Sequence, residues 1–265
     1  GLMARMMKKQ LSIVKIGGNV INSSEELDSF LCDFAKLDGL KILVHGGGRK
    51  ATEMADSLGL KPKMIGGRRV TDEANLEVVT MIYAGLINKN IVAKLQAKAC
   101  NALGLSGADA NVIKAHKRIV KEIDYGFAGD IDEVENKTIT LFLNGGITPV
   151  FSAITHNGQG QLLNTNADTI AAELAKGLSN DFEVELVYCF EKNGVLQHVN
   201  NDDSVIEQIN MEAYEKLKNE RVIGEGMLPK MENCFDALQN GVYKVHIGKP
   251  ELISDKHIKH TTLML

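Results

Sequence analysis

The sequence predicts an α/β fold whose mostly parallel sheet is covered by helices on both faces. Two observations carry this. Short apolar segments alternate along the chain with stretches of helical periodicity, and the joints are glycine turns, with 25 Gly against only 4 Pro. Such alternation implies crossover connections, which bring successive strands parallel. The first strand spans residues 11–16 and runs into Gly17-Gly18. A helix over 27–37 follows, then a strand over 41–44 that ends in His45-Gly46-Gly47-Gly48. Ala51, Met54, Ala55 and Leu58 recur at the spacing of an amphipathic helix, which Gly59 stops. Residues 74–103 read as one unusually long helix. Residues 138–143 have β propensity, yet Asn144-Gly145-Gly146 resembles a helix C-cap before a strand at 149–152, so both readings stand there. Ile170, Ala171, Leu174, Ala175 and Leu178 form another helical face behind Asn164-Thr165-Asn166. A strand over 184–189 comes next. The helix at about 227–240 has Pro229 in its first turn and Gly241 past its end, and a strand over 243–247 follows it. No linker divides the chain, so the expectation is one domain over residues 1–265, its lobes sharing one sheet. Gly158-Gln159-Gly160-Gln161 is the best boundary between a lobe at about 11–157 and one at about 158–265.

The chain has 265 residues, 44% of them hydrophobic and 24% charged, which suits a single large core and excludes a disordered or collagen-like chain. No apolar run approaches about 18 residues, so no membrane span is expected. A net charge of −4 argues against nucleic acid as the main partner. Any phosphate must then be met locally, by a few aimed cations and backbone amides. Cys32, Cys100, Cys189 and Cys234 are far apart and form no CxxC pair, which predicts reduced thiols rather than a disulfide or zinc framework. The first nine residues carry cations but no apolar signal core. A cytoplasmic location is the expectation.

The two glycine clusters match neither GxGxxG nor GxxxxGK[ST]. Each nevertheless sets flexible amides at the carboxyl end of a strand, where parallel sheets bind ligands. A helix starting at Gly48 would add its positive end to the second cluster. The plain alternative is two tight strand-to-helix turns. Lys15 lies in the apolar run Ile13-Val14-Lys15-Ile16, where a lysine is costly unless it is paired, functional or able to reach water. Lys230 opens a helix, an unfavourable place for a cation without a local anion. Asn164, Asn166 and Asp168 cluster at another helix start, where one capping side chain would suffice. Arg68 and Arg69 are either a solvated pair or a guanidinium fork for a small carboxylate. The histidines are dispersed, with His257 and His260 the only close pair, and no metal site is expected. No Gly-x-Ser-x-Gly supports a hydrolase.

Together these residues resemble the amino-acid kinase family. The matching stretches are Val14-Lys15-Ile16-Gly17-Gly18, Val44-His45-Gly46-Gly47-Gly48, Gly67-Arg68-Arg69-Val70-Thr71, Leu163-Asn164-Thr165-Asn166-Ala167-Asp168 and Gly226-Met227-Leu228-Pro229-Lys230. They stand in the family's order over about residues 11–250. The resemblance implies a three-layer αβα sandwich with an open sheet, the N-terminal lobe binding an acylated glutamate and the C-terminal lobe ATP. It implies Lys15 and Lys230 as the lysines flanking the transferred phosphoryl group, and Asp168 as the carboxylate orienting both. Gly17 and Gly18 would offer amides to ATP, while Gly46 and Gly47 would offer them to the substrate. Arg69 and Asn164 would grip the substrate's α-carboxylate, with Asn166 next to the reacting groups. The implied reaction is ATP-dependent phosphorylation of the γ-carboxylate of N-acetylglutamate, or an analogue such as N-succinylglutamate, in arginine biosynthesis. Mg²⁺ would be held mainly by phosphates and water. Relatives acting on aspartate, uridylate or carbamate, and non-catalytic metabolite-binding relatives, are the alternatives. The turn Phe190-Glu191-Lys192-Asn193-Gly194 departs from the family's Asp-Val-x-Gly, which leaves the adenine and ribose contacts open. About ten residues precede the first strand. That is too few for the extra helix that links arginine-inhibited members into hexamers, so a homodimer built on residues 74–103, without arginine inhibition, is expected.

Arg68 either faces water beside Arg69 or meets a second carboxylate on the acyl group. In the second case N-succinylglutamate is used at least as well as N-acetylglutamate, and Arg68→Leu shifts the ratio of their specificity constants. An unchanged ratio in that variant leaves Arg68 to the solvent.

Overall fold

The structure is a computed structural model that describes residues 2–61, 63–66 and 68–265, without the side chains of residues 4–6 and 68. Its strands are β1 (Lys9–Ile16), β2 (Leu40–His45), β3 (Lys63–Ile65), β4 (Arg68–Val70), β5 (Ala102–Leu105), β6 (Ile113–Lys117), β7 (Gly129–Val134), β8 (Thr148–Phe151), β9 (Ile154–His156), β10 (Leu162–Asn164), β11 (Phe182–Cys189), β12 (Gln208–Ile209), β13 (Lys244–Gly248) and β14 (Thr261–Leu263). Eight of them form the main sheet in the order β12-β14-β13-β11-β1-β2-β8-β5. All neighbours in it pair parallel except β13 with β14. Central β1 and β2 read as nearly unbroken apolar runs because both faces are covered: Ile13, Val14, Ile16, Ile42, Leu43 and Val44 are fully buried.

The predicted strands and helices are present, but the long helix stops early. The long helix begins at Glu73, capped by Asp72, whose Oδ1 accepts from the Asn75 amide at 2.8 Å. It widens into a π-helix over Thr80–Ile87 and ends at Gln96, not near residue 103. Ala99 then takes φ 59°, the chain reverses, and Ala102–Leu105 becomes strand β5. No Gly or Pro marks that break, so helical periodicity runs past it in the sequence. This helix is apolar and long enough, by length and composition, to cross a membrane. Here it is a core element, with Leu76, Val79, Ile82, Ile87, Ile91 and Leu95 buried. The ambiguous segment at 138–143 is helical: Asn136–Asn144 buries Ile139 and Leu143 one turn apart, and packing overrides β propensity.

The main sheet draws strands from both halves of the chain, as expected, and a second sheet, β10-β9-β6-β7, is added to it that the sequence did not announce. Its strands are short and half polar, as in Ile113-Lys114-Ala115-His116-Lys117, and give no apolar run to read. Gly158-Gln159-Gly160-Gln161 is the hairpin turn joining antiparallel β9 and β10 in this sheet. At the Asn164 end of this sheet Ala128 bridges to Asn164, and Gly126 bridges to Thr71 just past β4, which ties the β3–β4 hairpin to it. The hairpin β3–β4 and the helices Leu2–Met7 and Met211–Asn219 also gave no sequence signal.

Lys41 looks misplaced in an apolar strand. Its ammonium donates to the carbonyls of Phe34 at 2.8 Å, Ala35 at 3.0 Å and Leu37 at 2.8 Å, the unpaired end of helix Ser24–Lys36. Burial pushes its pKa below the ordinary lysine value. Lys41→Met removes these bonds, leaving the Phe34 carbonyl only its bond from the Leu37 N–H, and is expected to lower stability by about 1–3 kcal/mol, read by urea denaturation, with turnover per folded molecule unchanged.

Candidate active site

Three chain turns at the carboxyl end of the central strands build the site. Lys15 closes β1, and its ammonium reaches Oδ1 of Asp168 at 3.0 Å. Asp168 stands in the first turn of helix Ala167–Leu178, and its Oδ2 lies 3.5 Å from the Lys230 ammonium. Side-chain exposure is only 14% for each lysine and 20% for Asp168. Burial alone would raise the Asp168 pKa, but the two lysines outweigh it and hold the carboxyl below its ordinary value. One carboxylate thus orients two cations. Lys230 is carried by helix Leu228–Gln239, which is tied to the Asp168 helix by Asn233 to Thr169 at 3.4 Å and Lys176 to Asp236 at 2.7 Å. Its ammonium also lies 5.2 Å from the ring centroids of both Tyr188 and Phe190.

The glycines crowd the same spot. A Cβ on Gly17 would sit 3.1 Å from the Lys15 ammonium, and one on Gly18 would sit 3.4 Å from the Gly48 Cα. The two clusters therefore face each other across the site. Gly47 packs under the Tyr83 ring so closely that any side chain there would overlap it. The helix after the second cluster starts at Lys50 rather than Gly48, because Gly48 takes φ +57°.

Gly46, Gly47, Arg69, Asn164 and Asn166 line one open cavity of about 250 Å³. Its wall reaches Ala167, next to Asp168. Arg69 donates from Nη2 to Thr52 Oγ1 at 3.0 Å, while its buried Nη1 has no partner among the described residues. A buried guanidinium nitrogen left unpaired is costly, and a bound carboxylate would satisfy it. Asn164 donates to Thr71 Oγ1 at 3.2 Å, and Asn166 caps the helix by accepting from the Thr169 amide at 3.2 Å. So Lys15, Asp168 and Lys230 form one cluster, and the other predicted residues line the adjoining cavity or flank the cluster. Gly67 and the Arg68 side chain lie outside the described residues.

Sequence reasoning missed four contributors. Tyr83 and Asn88 come from and just after the π-helical turns, which no periodicity reveals. Arg118 lines the cavity and pairs with Asp130 at 2.8 Å, but in His116-Lys117-Arg118 it reads as solvated charge. His45 is fully buried, and burial pushes its pKa down to about 4. Its Nδ1 lies 3.0 Å from the Gly46 carbonyl and its Nε2 3.0 Å from the Asn88 amide nitrogen. That amide can only donate, so Nε2 accepts and Nδ1 carries the proton. The neutral ring thereby fixes the Gly46–Gly47 peptide, with the Gly47 N–H directed away from His45.

The amino acid kinase family model matches residues 10–249. The chain belongs to the amino acid kinase family. It is 53% identical over 245 residues to the acetylglutamate kinase of Bacteroides fragilis, covering 92% of this chain and 94% of that one. It is 53% identical over 244 residues to the acetylglutamate kinase of Cytophaga hutchinsonii, 92% of each chain. Among solved structures, the N-acetylglutamate synthase of Neisseria gonorrhoeae, complexed with coenzyme A and N-acetylglutamate, superposes with a TM-score of 0.82 at 19% identity. It covers 99% of this chain and 61% of that one, a likeness of fold.

The buried His45 has a consequence in acid. Its folded pKa of about 4 lies below the ordinary histidine value of 6.5, so the unfolded chain binds its proton first. Stability is therefore expected to fall as pH drops from 6.5 towards 4, by at most about 1.4 kcal/mol per pH unit from this residue. His45→Gln should flatten that slope in denaturation measured across the window.

Proposed function

We propose that the chain transfers the γ-phosphoryl group of ATP to the γ-carboxylate of N-acetylglutamate, or a close N-acyl analogue, giving an acyl phosphate. The observation that carries this is the Lys15–Asp168–Lys230 cluster, set beside a cavity whose Arg69 keeps an unpaired buried nitrogen. The names of the relatives supply the acceptor. The reaction would serve arginine biosynthesis.

The chemistry suits the parts. A side-chain carboxylate with a pKa of about 4.3 is already ionised at neutral pH, so no general base is required. The task is to bring two anions together and neutralise charge spreading over the γ-phosphoryl oxygens, which is work for aimed cations and amides. In this reading the N-terminal lobe, about residues 11–157, holds the acid. Arg69 and Asn164 take its α-carboxylate, and Gly47 turns its amide toward the reacting carboxylate, while Gly46, expected to offer an amide too, donates its N–H to the Ile16 carbonyl at 3.3 Å and only lines the cavity. Asn166 adjoins the transfer point. The C-terminal lobe, about residues 158–265, holds ATP, with Lys15, Gly17, Gly18 and Lys230 around its phosphates. Asp168 is the carboxylate in the cluster, and both its oxygens are engaged by lysines. It is therefore a poor Mg²⁺ ligand, and the ion that screens the β- and γ-phosphates would ride on ATP oxygens and water. A homodimer joined through the long helix, where Met81 and Leu86 are exposed, completes the reading.

Hydroxylamine trapping of the acyl phosphate, with Mg-ATP and a panel of acids, tests the assignment. Hydroxamate from N-acetylglutamate or N-succinylglutamate is expected. Turnover of aspartate, uridylate or carbamate instead would move the chain to a sister activity, and binding without turnover would make it a sensor. Lys15→Ala, Lys230→Ala and Asp168→Ala should each lose about 10²–10³ in kcat, or about 2.7–4 kcal/mol, while remaining folded by circular dichroism.

A further inference from the structure

Lys230 carries its charge in the first turn of a helix, where the backbone dipole opposes it, and it is only 14% exposed. Asp168 answers part of that charge, but at 3.5 Å this contact is looser than the 3.0 Å pair with Lys15. Two aromatic faces also lie beside it, Tyr188 and Phe190, each with its centroid 5.2 Å from the ammonium. That distance is inside the range, about 6 Å, in which a ring's electron-rich face attracts a cation.

The two rings are held differently. Tyr188 is part of β11, fully buried, and its hydroxyl donates to the Asp168 carbonyl at 2.8 Å. Phe190 begins the turn after β11, the segment whose sequence departs from the family pattern. Its backbone N–H donates to the Gly248 carbonyl at 2.7 Å, which anchors its backbone independently of the ring's contact with Lys230.

We propose that Phe190 is a positioning residue for phosphoryl transfer, its ring face holding the Lys230 ammonium over the reacting site together with Tyr188. The inference rests on the role proposed above for Lys230. A second carboxylate at this place would hold the ammonium as well, but it would repel the incoming polyphosphate. An aromatic face attracts the cation without adding negative charge, and it leaves the ammonium's N–H donors free to turn to the γ-phosphoryl oxygens. Phe190 itself touches no reacting atom and acts through Lys230.

The test separates ring charge from ring shape. Phenylalanine bearing one, two or three fluorines is placed at position 190 alone, which drains the ring face of electron density with little change of volume. Full-length enzyme is assayed with Mg-ATP and the best acceptor of the panel, beside Phe190→Tyr, Phe190→Leu and Lys230→Ala. The expectation is a stepwise fall in kcat along the fluorinated series, reaching about tenfold, the size of a desolvated cation–π contact. The acceptor's KM should be unchanged, Phe190→Tyr should be near wild type, and Phe190→Leu should match the most fluorinated ring. A flat kcat across the series, with Lys230→Ala inactive, would show that the ring only fills space and overturn this inference alone. Normal turnover by Lys230→Ala would remove the lysine from the reaction and overturn both readings.

Discussion

Asp168 is the constraint on which the site depends. Two lysines from opposite halves of the chain converge there, Lys15 from the first strand and Lys230 from the last long helix, and neither could stay buried without an anion. A shared carboxylate between two cations at 3.0 and 3.5 Å leaves the cluster with a net positive charge and a fixed geometry. That surplus is what a transferred phosphoryl group needs. The desolvation cost of three charges is offset within the cluster, yet removing Asp168 leaves two uncompensated cations in a poorly solvated place, whereas removing either lysine leaves a neutral pair. The fold serves this arrangement: parallel strands put their carboxyl ends, and the turns after them, at one edge.

The glycine wall of the cavity is built on backbone, opposite the side-chain charge of Arg69 and Arg118. Gly47 must lie flat beneath Tyr83, and Gly48 must take a left-handed conformation, so both positions require glycine. The peptide between Gly46 and Gly47 is held by His45, which is held in turn by Asn88. The π-helical turns, which would otherwise be a costly irregularity, immediately precede Asn88 and carry Tyr83. A histidine buried in this way is a neutral strut, not an acid or base, in keeping with an acceptor that needs no deprotonation.

The parallel core was legible from local rules, whereas the cluster was legible through the family resemblance, since each of its residues alone also admitted a plain structural reading. Apolar runs ending in glycine pairs announce strand ends, and a lysine inside such a run is conspicuous because burial makes it costly. Lys230 stood out by its place at a helix start, and Asp168 by an excess of capping groups. What remained hidden is set by tertiary context. Strands β6, β7, β9 and β10 are short and interrupted by polar residues, so they bear no apolar run to read. The end of the long helix at Gln96 is fixed by the demand of β8 for a partner strand, not by any helix-breaking residue. Arg118 and Asn88 are ordinary polar residues until the fold turns one toward the cavity and buries the other. The turn at 190–194 shows the converse, since its departure from the family pattern signalled a difference without revealing that Phe190 faces Lys230.

A double-mutant cycle on turnover tests the central claim most directly, comparing Lys15→Ala, Asp168→Ala and the double variant. If Asp168 acts by orienting the lysines, its loss should matter little once Lys15 is gone. The double variant should then be scarcely slower than Lys15→Ala alone, a strongly non-additive result. Losses that simply multiply would mean that the carboxylate and the lysine act independently, and would contradict the account of one shared anion organising the site.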